Sequence, residues 1–337
     1  MTLLFAVSLV IVVSYGLTWL LRRYALARSI MDIPNARSSH SAPTPRGGGV
    51  AIVVAFLVSL LWMGGTQAVD SASVWALFGA GGFIALLGFL DDHGHIAARW
   101  RLLGHFGAAI WALFWLGGFP PLVLFGIEFN LSWLGHLLAL LYMVWLLNLY
   151  NFMDGIDGIA SVEAISVSLG SCLLYVLVNA PGQMLAPLIL AATVAGFLIW
   201  NFPPAKIFMG DAGSGFLGIA IAVMSIQAAW VSSSLFFAWL ILLGVFIVDA
   251  TVTLFRRLLH GDKVYEAHRS HAYQYAARYY GRHLPVTLMV LLINVCWLLP
   301  LAVVVALDQI DGVVGVVIAW VPLVILALRF SAGKAES

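Results

Sequence analysis

Charge is what this 337-residue chain has least of: Asp, Glu, Lys and Arg together make up 9% of it, against 63% hydrophobic residues. A mean hydropathy of +1.02 agrees, and water alone would not keep such a chain dispersed, which excludes the soluble enzyme and soluble binding-module classes. Cysteine is nearly as scarce. Cys172 and Cys296 both fall inside apolar runs and read as small apolar residues, so neither a disulfide nor a zinc framework is available. There is no low-complexity tract and no internal repeat. The first apolar run also lacks a basic segment before it, and Arg22-Arg23 follow where a small-residue cleavage site would fall. It is therefore expected to remain as a helix rather than act as a removable signal peptide.

What the chain has is apolar length. A bilayer core needs about 20 apolar residues per helix, and uninterrupted runs fall roughly at 2–21, 49–66, 72–90, 102–118, 133–148, 159–178, 184–201, 214–231, 234–254, 286–307 and 312–330. The expected fold is all-α: one polytopic integral membrane helical bundle over residues 1–337 with about eleven transmembrane helices. Alternating the runs from an outside N-terminus puts all sixteen Lys and Arg on one side and Asp70, Glu128, Asp308 and Asp311 on the other. The positive-inside bias thus predicts a periplasmic N-terminus and a cytoplasmic C-terminus. Cytoplasmic loops at about 22–48, 91–101, 149–158, 202–213 and 255–285 would form the active face. Among the outer loops only 119–132 is long, and VLFGIEFNL around Gly126 predicts a small hairpin.

The polar islands on the inner side carry the chemistry. The first contains Arg37, His40 and Arg46 and ends in a triple glycine, 47–49, leading into a helix. That arrangement can present backbone N–H groups and positive charge to a phosphate, or be a plain loop entering a helix. The third run ends GFLDDHGH. Adjacent carboxylates such as Asp91 and Asp92 repel by roughly 3 kcal/mol at an effective dielectric of 20, and a helix C-terminus is the wrong end for anions. Pairing with Arg99 and Arg101 would offset this; so would a divalent cation or a proton taken from a substrate.

The fifth run ends NLYNFMDGIDGIAS, where Asn151, Asp154 and Asp157 are spaced to share one helical face beside Gly155 and Gly158. Glu163, further along, reads as a buried partner or as support behind those acids. NFPPAKIFMGDAGSG, residues 201–215, sets Asp211 before Ala-Gly-Ser-Gly at a helix start, with Lys206 as an ion-pair candidate. Phe208 is open to two readings, facing lipid or stacking on an aromatic ligand. Asp249 lies inside a run, and its spacing to Arg256 offers a structural partner. His268 and His271 flank Arg269 in the last inner loop, ahead of an expected interfacial amphipathic helix.

In this order and between these runs, PNARSSHSAPTPRGGG, GFLDDHG, NFMDGIDGIA, NFPPAKIFMGDAGSGFLG and HRSHAYQ resemble the polyprenyl-phosphate N-acetylhexosamine-1-phosphate transferases over nearly the whole chain. That superfamily, glycosyltransferase family 4, includes the phospho-MurNAc-pentapeptide translocase and the O-antigen-initiating enzymes. The resemblance implies a multi-pass enzyme of the bacterial cytoplasmic membrane whose active site faces the cytoplasm. Such an enzyme moves an N-acetylhexosamine-1-phosphate from a UDP-sugar to undecaprenyl phosphate, releases UMP and starts O-antigen, lipopolysaccharide or a related envelope glycan.

By the same resemblance Asp91, Asp92 and Asp211 are the catalytic candidates, and Asp211 and Asn151 the ligands of Mg²⁺, or Mn²⁺ in its place. Asp154, Asp157, Asn201, Lys206, Phe208, His268, Arg269 and His271 fall where the family holds uridine, diphosphate and sugar. Arg37, His40 and Arg46 fall at the lipid phosphate. The partners implied are the UDP-sugar, the undecaprenyl phosphate acceptor and the bilayer, with no nucleic acid and with a homodimer left open. His-Arg-Ser-His differs from the translocase's histidine run, which favours UDP-GlcNAc, UDP-FucNAc or UDP-QuiNAc over the muramoyl-pentapeptide donor. The alternative is a membrane transporter with a cytoplasmic-face ion site. Transporters, however, place ionisable groups near the midplane of repeated halves, whereas these acids crowd one interface.

Overall fold

The computed structural model describes residues 3–34, 42–94, 96–262 and 269–334. In chain order its helices are α1 (Leu3–Ala27), α2 (Val50–Gly65), α3 (Ser71–Gly94), α4 (Ala98–Leu116), α5 (Ser132–Met153), α6 (Ile159–Leu177) and α7 (Leu185–Asn201). They continue with α8 (Asp211–Val231), α9 (Ser233–Leu242), α10 (Gly244–Leu259), α11 (Ala272–Tyr280), α12 (Leu284–Ile293), α13 (Leu299–Ala306) and α14 (Gly312–Arg329). Each of the eleven apolar runs is helical. Among the described residues eight segments are long and apolar enough to cross a membrane, and the α9–α10 pair, bent by 70°, makes a ninth. The other two runs differ for physical reasons. At 16 residues α2 rises about 24 Å, short of a ~30 Å hydrocarbon core, and α4 carries Arg99, Arg101 and His105 in its first half.

The bundle is built around α8. Its apolar stretch is 83% buried, against 17% for that of α1, because DAGSGFLGIAIAVMSIQAAWV offers small residues on every side and apolar helices in lipid associate by close backbone approach. Helices α3 and α5 pack along it, and α1 rests on α7 at the periphery. Glu163 is fully buried, and its Oε2 accepts from Asn294 Nδ2 at 2.6 Å, tying α6 to the α12–α13 rod. The predicted hairpin is present as β3 (Leu122–Leu124) and β4 (Ile127–Phe129) in addition to the short pair β1 (Met31–Asp32) and β2 (Thr44–Pro45).

The two ends of the bundle differ. At one end the Phe125 amide of the hairpin donates to Asp311, and Ser234 donates to Asp308. At the other, Arg22 Nε donates to the Lys206 carbonyl, Tyr273 Oη to the Phe152 carbonyl and the Gly333 amide to the Ser270 carbonyl. The inner islands that lie in described residues therefore share one end.

One partner expected from spacing is wrong. Asp249 does not pair with Arg256, whose Nη1 reaches the Ala332 carbonyl at 2.6 Å. The Asp249 carboxylate instead accepts from the Ala272 and Tyr273 amides, both at 2.9 Å, and from Thr253 Oγ1. It satisfies the first turn of α11, where a helix has free N–H groups and favours negative charge.

Candidate active site

The site is assembled on the first turn of α8. Gly210, at φ +80°, precedes it and offers no side chain to cap the turn. Asp92 does so from the last turn of α3, its carboxylate accepting from the Asp211 amide at 3.1 and 3.3 Å and from the Ala212 amide at 3.5 Å. This reach requires α3 and α8 to touch, and Gly88, one turn before Asp92, permits it: a Cβ there would lie 2.6 Å from the Ala212 nitrogen. The repulsion expected between the twin acids is relieved by separate partners. Asp92 pairs with Arg46 Nη2 at 2.6 Å, while Asp91 pairs with Arg101 and accepts the Ile96 amide at 2.7 Å.

Asp211 stands at the centre. Its Oδ1 is 3.1 Å from Arg46 Nη2 and 3.2 Å from Asn151 Nδ2, and its Oδ2 is 4.0 Å from Arg101. Asn151 Nδ2 also meets Ser214 Oγ at 2.9 Å, so α5 and α8 hold the amide between them. Burial alone would lower the Arg46 pKa, but the Asp211, Asp92 and Asp32 carboxylates outweigh it and hold the guanidinium above its ordinary value. Arg46 is thus a fixed cation between two acids from different helices.

Asp154 and Asp157 follow on the turn between α5 and α6. Asp157 Oδ2 accepts the Ala205 amide at 3.0 Å, and its Oδ1 lies 3.1 Å from His283 Nδ1. Asp157, Phe208, Arg278, Arg282 and His283 line a cleft of about 540 Å³ that carries several charged groups on a largely apolar wall, so Phe208 faces this cleft rather than lipid. Asp154 is half-buried. Burial first, then Asp211, with smaller additions from Asp157 and Asp92, raises its carboxyl well above the usual carboxylate range, against an opposing pull from Arg46.

Several expected site residues are placed elsewhere. The Lys206 ammonium sits 5.6 Å over the Trp200 ring, not on Asp211, because its backbone is tied to the Trp200 carbonyl and the side chain follows the ring. Asn201 is 3% exposed and spends its amide on backbone, accepting from the Gly158 amide and donating to the Ile207 carbonyl, both at 3.0 Å. It is a strut between two turns rather than a ligand-facing group. His271 is 3% exposed, closes the capping box of α11 with Gln274 and points Nδ1 at Asp249, 3.3 Å away. Arg269 lends its carbonyl to Arg278 Nη1.

Two of the three amides of the glycine triplet are already committed to backbone. The Gly48 and Gly49 amides donate to the Phe208 and Met209 carbonyls at 2.9 and 2.8 Å. A Cβ on Gly49 would come 2.5 Å from Gly213 Cα, so that glycine serves close packing. Arg37, His40 and His268 lie outside the described residues. Arg101, visible in the sequence only as a neutralising partner, and His283, which nothing there marks, are the additions.

Among the described residues no three His, Cys, Asp or Glu side chains form a ready-made metal cage. The donor set nevertheless suits a hard cation. Asp211 and Asn151 are adjacent oxygen-bearing groups, and Asp154 is an acid destabilised by burial and by the like charge of Asp211, both of which a cation would offset. Magnesium is commonly held by one or two carboxylates with substrate phosphates and water completing the shell.

A stability prediction follows from Asp154. An acid whose pKa is raised on folding is ionised at a cost, so its penalty is absent below the ordinary value of about 4 and grows as pH rises above it. Asp154→Asn therefore raises the thermal midpoint of the cation-free protein at pH 7. The gain disappears below pH ~4, where both chains carry a neutral group, and thermal scans in EDTA across that range measure it.

The description of glycosyl transferase family 4 matches residues 74–229 of this chain, which hold Asp91, Asp92, Asn151, Asp154, Asp157 and Asp211. A probable undecaprenyl-phosphate N-acetylglucosaminyl 1-phosphate transferase of Bacillus subtilis is 30% identical over 278 residues, covering 79% of this chain and 74% of the relative. A phospho-N-acetylmuramoyl-pentapeptide-transferase of Lactiplantibacillus plantarum is 31% identical over 195 residues, 54% of this chain and 61% of the relative. A decaprenyl-phosphate N-acetylglucosaminephosphotransferase of Mycolicibacterium smegmatis is 27% identical over 245 residues, 65% and 58% of the two chains.

Proposed function

This chain belongs to glycosyl transferase family 4, and from that premise we propose that it transfers an N-acetylhexosamine-1-phosphate from a UDP-sugar to undecaprenyl phosphate. UMP leaves, and the lipid-diphosphate-sugar product starts an O-antigen, lipopolysaccharide or related envelope glycan. UDP-GlcNAc, UDP-FucNAc and UDP-QuiNAc are the donors proposed.

The observation that carries this reading is the cluster on the first turn of α8, where Asp211, Asp92, Asp91 and Asn151 meet Arg46 and Arg101, with a cleft on each of two faces of α11 as candidate approaches. Ala272, Tyr273, Ala276 and Tyr280 line an apolar cleft of about 310 Å³ with α10, α12 and α14. Gln274, Ala277, Arg278 and Gly281 line the cleft that holds Asp157, Phe208, Arg282 and His283. A reaction between a nucleotide sugar and a lipid phosphate needs one polar and one apolar approach to a common point. Here Phe208 would stack on the uracil, Asp157 would fix the nucleoside, and the polyprenyl chain would lie in the apolar cleft.

Phosphoryl transfer asks for positioning and charge neutralisation more than for covalent protein chemistry. Asp211 and Asn151 would hold the cation, and Mg²⁺ or Mn²⁺ would supply charge stabilisation to the transferring phosphoryl group. Arg46 and Arg101 hold the acids in orientation. Asp91 would orient the acceptor phosphate or take its proton, with Arg101 setting its direction.

The basic residues of the described chain gather at the site end, which by the positive-inside rule is the cytoplasmic one. We therefore place the N-terminus in the periplasm of a bacterial inner membrane and the C-terminus in the cytoplasm, with eleven crossings when α2, α4 and the bent α9–α10 pair each count as one.

Membranes containing the protein, given undecaprenyl phosphate and a panel of UDP-sugars, should release UMP from one or more of the named donors. Release from none of them, together with uptake of a solute into proteoliposomes, would overturn the assignment. EDTA should abolish release, and Mg²⁺ or Mn²⁺ should restore it; undiminished turnover in EDTA would remove the cation from the mechanism.

A further inference from the structure

Asp157 and His283 come from segments 126 residues apart and make two contacts that one protonation state cannot satisfy together. His283 Nδ1 is 3.3 Å from the Asp157 amide nitrogen, which needs an acceptor, and 3.1 Å from Asp157 Oδ1, which needs a donor. With Nδ1 bare, the amide is satisfied and a lone pair faces a carboxylate oxygen. A proton added at Nδ1 while Nε2 keeps its own makes the ring an imidazolium, gives the carboxylate a charged donor and sets two N–H groups facing each other, whereas the neutral Nδ1–H tautomer gives the carboxylate a donor without the charge. The surrounding contacts hold this geometry in place. The Asp157 carbonyl accepts from Thr287 Oγ1 at 2.8 Å, its Oδ2 is held by the Ala205 amide, and the two side chains are only 12% and 16% exposed.

Charge in the cleft decides between the two states. On the α11 side Arg278 and Arg282 face it, with Gln274 neutral between the turns. The α5–α6 turn contributes Asp157 and, behind it, Asp154. The 203–208 turn contributes no charge, since Lys206 lies over Trp200, and α12 contributes Thr287. The arginines oppose a third cation in the empty cleft, and a bound diphosphate neutralises them.

Resting on the transferase reading above, we propose that His283 is a positioning residue for the donor, taking a proton from solvent as the nucleotide sugar binds and thereby clamping the Asp157 carboxylate in its binding orientation. The protein in nanodiscs is titrated calorimetrically with the best UDP-sugar of the panel, without lipid acceptor, in two pH 7 buffers of different ionisation enthalpy. The donor's diphosphate is a diester and does not titrate there. Wild type should take up a measurable fraction of a proton per donor bound, and His283→Asn should take up none. Asparagine retains an N–H near the Nδ1 position, so this variant should keep KM within about threefold of wild type. His283→Ala should raise KM for the donor about tenfold or more with kcat and the Mg²⁺ requirement little changed, a split equal to ~1.4 kcal/mol of ground-state binding. Equal proton uptake in wild type and His283→Asn, or a fall in kcat alone, overturns the clamp and leaves the transferase standing. Absence of donor binding to wild type overturns both.

Discussion

Asp211→Asn abolishes UMP release, by about 10³-fold or more in kcat, the scale on which loss of a charge partner of a transferring phosphoryl group acts, while the protein elutes and melts as wild type does. The substitution keeps the volume and leaves the Asp211 backbone amide on Asp92, so the first turn of α8 stays capped. It removes the one carboxylate that Arg46, Asn151 and Arg101 all approach. Relief of repulsion with Asp154 works in favour of the folded state, since Asp211 is the leading charged neighbour raising that acid, so a loss of activity cannot be ascribed to unfolding. Residual turnover within tenfold of wild type would mean that Asp211 is scaffolding and that the reacting phosphates sit elsewhere.

The acids that matter are legible in the sequence because a carboxylate at the end of an apolar run has no cheap structural excuse. Asp92, Asn151, Asp154 and Asp211 lie at or next to helix ends that meet at one end of the bundle, and hydropathy marks where those ends fall. Direction is what the sequence conceals. Lys206 and Asp211 are five residues apart on one loop, yet Trp200 captures the lysine. His271 looks like a diphosphate ligand, yet Asp249 takes it into the packing of α11. The glycine triplet before α2 has the composition of an anion nest, yet the Gly48 and Gly49 amides belong to residues 208 and 209. For His271 and the glycines a partner distant in sequence outcompetes the local pattern, and for Lys206 a ring six residues back does so; no spacing rule encodes either choice. The same holds for the bend at Leu243 within one unbroken apolar run and for the Asp157–His283 pair.

Asp92→Ala should behave differently from Asp211→Asn, and the contrast separates holding the site from acting in it. The Asp92 side chain is 6% exposed and answers three demands at once: the Asp211 amide, the Ala212 amide and the Arg46 guanidinium. Its removal leaves the α8 turn uncapped, at ~0.5–2 kcal/mol, and strands a cation. A fully buried ion left without its partner costs about 3–5 kcal/mol, but Arg46 is 34% exposed and retains Asp211, so solvent screening reduces that to a fraction. A destabilisation of about 1–3 kcal/mol in all is expected, together with a fall of about 10²-fold in kcat as Asp211 loses its backbone anchor. Thermal unfolding and UMP release on the same preparation measure both. Arg46→Ala alone should also destabilise, because it returns the Asp92–Asp211 repulsion. In the double variant the stranded cation and the unopposed acid pair disappear together, so its stability loss should be smaller than the sum of the two single losses. Strict additivity would mean that Arg46 and Asp92 are independent, and that α8 is held at the site by something other than the ion pair across α3.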